Sequence, residues 1–382
     1  MANELFTNGK LRFEQVKGVG TIEVDFQPNQ RVYTLIGENG VGKTKFLESL
    51  FTLLLLANKQ MRQKEGWFYT TKIPFKSSNI VSINEKIDIK DDFRLRKNSE
   101  FLLNVENSLP IIYIPAQNRS NIEEQNSNIQ KLGNSKERSE NYLHRLFSIF
   151  NSSYSFKTLS ENVNIQEWII QRAQSANPYQ AKEDNREIEI KTLLLLLNKI
   201  DQRIDNEFLE ISGDNRVFIK IENQKRELSE LSSGFTSILK MIQSIIAGYS
   251  YFTNEVQIAN VRGVVLIDEI ESHLHNEWQV KIIPLLKELF PNTTFYITTH
   301  SSLVISQLED GEAYRLQRED DGVVYGKPIP YPNNASFIDL LNEAFNVNLN
   351  KLKIDRIEDE SQQKAKKALL ALVQAELAKG AK

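Results

Sequence analysis

The sequence has no cysteine in 382 residues. Disulfides and thiolate zinc sites are therefore excluded. No apolar run approaches the roughly twenty residues that a membrane-spanning helix needs. The N-terminus lacks the charged and apolar regions of a signal peptide, so the chain reads as cytoplasmic, with no membrane partner. An excess of one charge is missing too. The 47 basic residues face 50 acidic ones, which leaves no global bias toward nucleic acid or an anionic membrane. Any contact with DNA has to come from a local patch. Sustained heptads are absent, so no long coiled-coil arm is expected. A chain of this length can bury a large core, and one main domain with a helical subdomain is expected.

Four short segments, in order, carry the chemistry. The first, Gly37-Glu38-Asn39-Gly40-Val41-Gly42-Lys43-Thr44, matches the phosphate-loop pattern G-x-x-x-x-G-K-[ST] at every required position. It follows the β-branched run Arg31 to Ile36 and precedes a helical apolar spacing from Phe46 to Leu54. Glycines at 37, 40 and 42 let the backbone curl so that its N–H groups, that of Asn39 included, point at phosphate oxygens. The helix that follows adds the positive end of its dipole. Lys43 is placed to reach the β- and γ-phosphates, and Thr44 to offer a hydroxyl to Mg²⁺.

The third segment, Val264-Val265-Leu266-Ile267-Asp268-Glu269, reads as a strand buried on both faces that ends in two acids. Asp268 is placed to hold the Mg²⁺ shell, and Glu269, on the opposite pleat, to point at an attacking water. About thirty residues on, Thr294 to Thr299 reads as another buried strand with His300 just past its end. Ligands of open α/β sheets bind at that edge, where an imidazole can donate to the γ-phosphate. The second segment, Leu231-Ser232-Ser233-Gly234-Phe235, opens a stretch of helical periodicity, so Ser232 and Gly234 fall at a helix N-terminus. In isolation it reads equally as an ordinary Ser-capped helix. With the phosphate loop present, the economical reading is that it closes over the γ-phosphate held by a second copy, giving two ATP molecules sandwiched in an isologous dimer.

These segments resemble those of ABC-type ATPases of the SMC/RecF/OLD-like group, also called AAA family ATPases, in which they are the Walker A, signature, Walker B and switch-histidine motifs. Asp268-Glu269-Ile270-Glu271-Ser272-His273-Leu274-His275 resembles the group's continuation of Walker B. Ser233, Phe235, Ile270 and Asn276 depart from the usual residues. The resemblance implies an α/β fold with a mixed, mainly parallel central sheet, an N-terminal antiparallel β subdomain and an inserted α-helical subdomain. It implies an ATPase domain over residues 1–345 with the insertion over 52–230, then a helical tail over 346–382. It also implies ATP and Mg²⁺ as cofactors, Gln117 as a sensor of Mg²⁺ and water, and Arg119 as an additional phosphate contact.

Between the motifs, Leu11 to Val16 and Thr21 to Phe26 alternate like two strands of an antiparallel flap. A helix is expected near Glu187 to Ile211, and a mobile surface loop over 118–140. Lys59, Arg62, Lys64, Lys72 and Lys76 interleave with Trp67, Phe68, Tyr69 and Phe75. That composition suits a nucleic-acid contact, but the preferred reading is a solvated loop whose aromatics tuck into the domain. Leu369, Val373 and Leu377 mark one face of a tail helix over Ser361 to Ala378, which can dock on its own domain or on another chain. Only about 80 residues follow His300, without the strand context of a metal-dependent nuclease domain. Three readings follow. The leading one is an ATPase subunit, dimeric or a higher even-numbered homo-oligomer, that regulates a separate effector such as a nuclease in a bacterial anti-phage complex of the PtuA or AriA kind. The others are a DNA-repair or chromosome-maintenance ATPase acting on DNA, and a nucleotide-dependent scaffold with little turnover.

Overall fold

A computed structural model describes residues 9–62, 67–68, 72–80, 85–88, 95–96, 107–117, 119–120, 131–151, 164–345 and 366–371, with residues 122, 129, 156 and 159 between them. A hairpin of β1 (Gly9–Val16) and β2 (Gly20–Phe26) comes first. The strand β3 (Val32–Ile36) then runs through the phosphate loop into α1 (Lys43–Leu56), and α2 (Lys59–Arg62) follows. The next strands are β4 (Trp67–Phe68), β5 (Ser77–Ile80), β6 (Glu85–Asp88), β7 (Leu95–Arg96) and β8 (Ile111–Ile114). Helices α3 (Ser135–Asn151), α4 (Ile165–Ser175) and α5 (Glu187–Ile200) lead to β9 (Ile204–Ile211), β10 (Val217–Ile221) and β11 (Gln224–Glu227). The last third carries α6 (Ser233–Phe252), β12 (Gly263–Ile267), α7 (Asn276–Gln279), α8 (Ile282–Leu289) and β13 (Thr293–Thr298). It closes with α9 (Ser302–Ile305), β14 (Ala313–Arg318), β15 (Val324–Pro328) and α10 (Phe337–Phe345).

One ten-stranded sheet organises these elements in the order β6-β5-β1-β2-β15-β14-β3-β13-β12-β8. From β14 to β8 every neighbour is parallel. β15 reverses direction beside β14, and β1, β2, β5 and β6 form the antiparallel wing. The fold is the α/β architecture with a mainly parallel sheet expected from the motifs. Strands of the parallel half are apolar throughout because both faces are covered. Val265, Ile267, Phe295 and Ile297 enter one core with α4, α5 and α6, while Val264, Leu266, Tyr113 and Tyr296 enter the other with α1. Helix α1 is apolar nearly all round and is buried accordingly, in contact with β13, β8 and β1. An aromatic cluster joins the wing to the parallel half: Phe26 meets Tyr33, Phe46, Tyr296 and Tyr314 with ring centroids 4.9 to 5.8 Å apart.

The middle of the chain departs from the expectation in three ways. The helix expected to reach Ile211 stops at Ile200, where Asp201 accepts from the Arg203 N–H at 3.0 Å and turns the chain into β9. Alternation in Ile204–Ile211 is satisfied by pairing with β10, so strand wins there. The stretch expected as a helical insertion thus holds a three-stranded antiparallel sheet and the strands β5 and β6 of the large sheet besides its helices. Within the expected loop 118–140, residues from Ser135 onward are the start of α3; Asn134 and Glu137 exchange hydrogen bonds as a reciprocal helix cap. Residues 118, 121, 123–128 and 130 of that stretch lie outside the described residues.

Under α3, α4 and α5 lies a buried ionic cluster. Glu189 accepts from Arg172 Nε at 2.8 Å and from Arg186 Nε at 2.5 Å, and all three side chains are at most 3 % exposed. Arg138 lies beside Asp184 and donates to Asn254 Oδ1. Arg172 also covers the ring of the buried Trp168 at 4.4 Å.

Candidate functional site

The phosphate loop is wedged between the β1–β2 turn and β14. Gly37 has φ +143, and a Cβ there would stand 2.7 Å from the Leu316 carbonyl oxygen. Gly42, at φ +119, would meet Val19 at 2.9 Å. Both positions need glycine for conformation and for space. Gly40 and Asn39 are exposed at the loop tip, so the loop keeps an open cradle. Lys43, the first residue of α1, is buried, and its Nζ donates to the carbonyls of Gly37 at 2.8 Å and Glu38 at 2.9 Å. Burial pushes its pKa down to about 8, against the opposing pull of Glu269, Asp268 and Glu271.

Asp268 follows β12 and continues the ladder through its N–H to the Ile114 carbonyl. Its carboxylate accepts from Thr44 Oγ1 at 3.0 and 3.1 Å and from Thr298 Oγ1 at 2.6 Å. Burial raises its pKa above the usual carboxylate value, and the two hydroxyls oppose that rise. The backbone leaves the strand at Glu269 with φ +45, so a tight turn rather than pleat alternation aims this side chain. Three contacts hold the strained turn: the Glu269 N–H donates to Thr298 Oγ1, Ser272 Oγ donates to Glu269 Oε2, and Arg119 donates to the carbonyls of Asp268 and Glu269.

Beyond β13, the Thr299-His300-Ser301 segment is gripped from the side. Glu271 accepts the His300 N–H at 2.6 Å and Thr299 Oγ1 at 2.7 Å. Gln279 Oε1 accepts from Ser301 Oγ at 2.6 Å. Burial lowers the His300 pKa, the charge of Lys43 lowers it further, and Glu271, Glu269 and Asp268 oppose. The imidazole therefore lies within electrostatic reach of the phosphate-loop lysine. Lys43, Thr44, Asp268, Glu269 and His300 meet at one edge of the parallel sheet.

Residues 32–306, which include all of these groups, match the family described as "AAA domain, putative AbiEii toxin, Type IV TA system". The chain belongs to this AAA domain family. Among relatives of this AAA domain, the Septu protein PtuA of Bacillus mycoides (strain KBAB4) is 26% identical over 347 residues, 88% of this chain and 44% of that protein. The "Retron Ec83 probable ATPase" of Escherichia coli is 36% identical over 96 residues, 25% of this chain and 18% of that protein. The chain spans less than half the length of these relatives. A solved SMC head bound to the C-winged helix domain of ScpA aligns over 84% of this chain and 97% of its own, with a TM-score of 0.43 and 13% identity.

In the AAA domain Ser232 and Gly234, expected to form a signature, stand at the start of α6. Ser232 caps the helix, accepting from the Phe235 N–H at 3.4 Å, and both Ser232 and Ser233 are exposed. Gly234 packs against His273 and His275, and Phe235 turns into the core. Gln117 is exposed three residues past β8, on the same edge as Asp268. Arg119, expected at a phosphate, is instead 2 % exposed and donates to backbone carbonyls near Met241. Its guanidinium is therefore a brace under the Asp268–Glu269 turn, and burial lowers its pKa to about 10. The motifs did not mark Thr298 and Glu271 as bonded partners of the site. Their only sequence signal was a place in the strand before His300 for Thr298 and in the continuation of the third segment for Glu271.

The cradle suits a triphosphate, with positive-φ glycines at 37 and 42 where a Cβ would collide, a buried lysine and a helix N-terminus. Among the described residues no group of three His, Cys, Asp or Glu side chains could hold a metal unaided. The Thr44 hydroxyl and Asp268 fit Mg²⁺ that arrives with its phosphates, which is the usual mode for this ion. Elsewhere, Phe75 is buried against the Phe13 ring at 5.0 Å, which removes it from any base-stacking surface. Lys64 and Tyr69 lie outside the described residues, as do Val373 and Leu377 of the tail. Leu369 is 66 % exposed, and no described helix is long and apolar enough to cross a membrane.

Proposed function

We propose that this chain is the ATP-binding and hydrolysing subunit of a bacterial anti-phage defence complex, that two copies sandwich two nucleotides, and that the closed pair regulates a separate effector. The observation that carries it is the convergence of the phosphate loop, the Thr44–Asp268 pair, Glu269 and His300 on one sheet edge. Similarity to PtuA and to the retron ATPase supports the defence setting. Mg-ATP would supply the phosphoryl group and the metal's charge, with Thr44 and Asp268 as the residues that would hold the metal side. Lys43 exchanges its two loop carbonyls for phosphate oxygens, which give the ammonium an anionic hydrogen-bond partner. Thr44 and Asp268 orient the metal side, and Gln117 stands on the same edge. Glu269 takes the proton of the attacking water, and His300 donates to the terminal phosphate. The exposed Ser232 hydroxyl, which accepts from the Phe235 N–H, keeps its own proton to donate to the phosphate held by the second copy.

Steady-state turnover of Glu269→Gln tests the chemistry, with an expected fall of about 10²- to 10⁴-fold in kcat for loss of a positioned base. Unchanged turnover refutes this role and favours a scaffold with ATP as an ordering ligand. Sedimentation of the same variant tests the assembly. A shift to dimer with Mg-ATP is expected, and an identical distribution with and without nucleotide counts against the sandwich.

A further inference from the structure

Glu271 lies outside the four motifs' expected chemistry, yet both of its carboxylate oxygens are used on one short segment. One accepts the His300 N–H at 2.6 Å and the other accepts the Thr299 hydroxyl at 2.7 Å. The last residue of β13 is Thr298, so His300 has no strand ladder to hold its backbone. The hydrogen bond from its N–H to a carboxylate is of the short, charge-assisted kind. Neighbouring contacts extend the same seam, because the Ile270 N–H donates to the Thr298 carbonyl at 3.1 Å and Ser301 Oγ donates to Gln279. The other side of this seam rests on the signature helix, where Ser237 Oγ donates to the Ser272 carbonyl at 3.3 Å.

We propose that Glu271 is the positioning residue of the terminal-phosphate sensor: its carboxylate fixes the backbone at His300 so that the imidazole meets the γ-phosphate. The proposal rests on the reading of His300 given above and assigns the part of the chain that makes it work. Glu271 touches no phosphate itself. The Thr299 N–H bonds the Leu35 carbonyl and the Ser301 N–H bonds Thr299 Oγ1 on either side, but at His300 itself the N–H is held by Glu271, which links that place to the turn carrying Glu269.

The test compares Mg²⁺-dependent binding of ADP and of a non-hydrolysable imido analogue of ATP, by calorimetry on the full chain. It uses the unaltered protein, Glu271→Gln, Glu271→Ala, His300→Ala and the Glu271→Ala/His300→Ala pair. The expected result is a preference for the analogue over ADP that falls about tenfold in Glu271→Ala, the scale of one hydrogen bond to a charged group. Glu271→Gln keeps one acceptor and loses less, which also guards against a misfolded Ala variant. The double variant matches His300→Ala alone, because Glu271 acts through that imidazole, and ADP affinity stays within about twofold throughout. An unchanged preference in Glu271→Ala, additive losses in the double variant, or an equal fall in ADP affinity each overturns the proposal. Absence of any preference in the unaltered protein overturns the sensor role itself. Failure of turnover alone refutes the catalytic reading and leaves this binding test decisive.

Discussion

Two clusters of charge are buried in this protein, and they differ in what their members hold. Under α4 and α5, the Glu189 carboxylate is occupied by Arg172 and Arg186, charge against charge. At the sheet edge the partners are neutral. Lys43 holds two carbonyls, Asp268 holds two hydroxyls, and Glu271 holds a hydroxyl and an N–H. A carboxylate whose two oxygens each hold a guanidinium has no place left for a ligand, and removing it strands both cations. A charge bonded only to dipoles stays under-compensated, and a ligand can supply what is missing. The same residue types therefore make a strut in one place and a receptor in the other.

Several changes would break or sharpen that contrast. Glu189→Ala leaves two guanidinium groups buried without a counter-ion and is expected to lower unfolding stability by about 3–5 kcal/mol in urea titration. ATP affinity of the folded fraction should hardly move. Lys43→Ala should do the opposite, weakening ATP binding by about a hundredfold in calorimetry through loss of a charge-assisted contact. Its urea midpoint should not fall, since the substitution removes a buried cation that has no anionic hydrogen-bond partner. A loss of stability in Lys43→Ala comparable to that of Glu189→Ala would erase the distinction.

The pH dependence of the two clusters should differ as well. Burial holds Lys43 near 8, below its unfolded value of 10.5. Between these values the unfolded chain binds the extra proton, so this group's contribution to stability rises with pH through that window. Binding runs the other way. Phosphate wants the charged amine, so above about pH 8 the ATP association constant should fall by up to about tenfold per pH unit, measured by calorimetry at pH 7, 8 and 9. A flat profile would place the lysine proton outside the binding step. The smallest effect is expected at the α4 cap, where Asn164 accepts from the Gln166 and Glu167 N–H groups. Asn164→Ala should cost about 1 kcal/mol in thermal or urea unfolding, without altering nucleotide affinity.

The parts legible in the sequence were those with local causes. The phosphate loop depends on three glycines and a Lys-Thr pair within eight residues, and the strand before it and helix after it carry their own periodicity. Buried strands β12 and β13 announced themselves as continuous apolar runs. The end of α5 at Ile200 was not legible, because Ile204–Ile211 is strand only through its pairing with Val217–Ile221. Arg119 was misplaced for a similar reason. An arginine two residues after a candidate sensor of Mg²⁺ and water looks like an anion contact until the fold brings the Asp268 and Glu269 carbonyls to its guanidinium. Phe75 tucks into the domain as the preferred reading of its segment had it, and the fold supplies the Phe13 ring that receives it.

Sequence by itself determined the chemistry of the loop and the class of fold, since spacing along a strand, a turn and a helix sets which groups leave the backbone together. Tertiary structure decided which charges are matched and which are left open. That division depends on β12 lying in register between β8 and β13, Ile267 beside Ile114 and Ile297, which carries Glu271 across to the His300 backbone. Register between strands is a long-range property, and the order of residues does not display it.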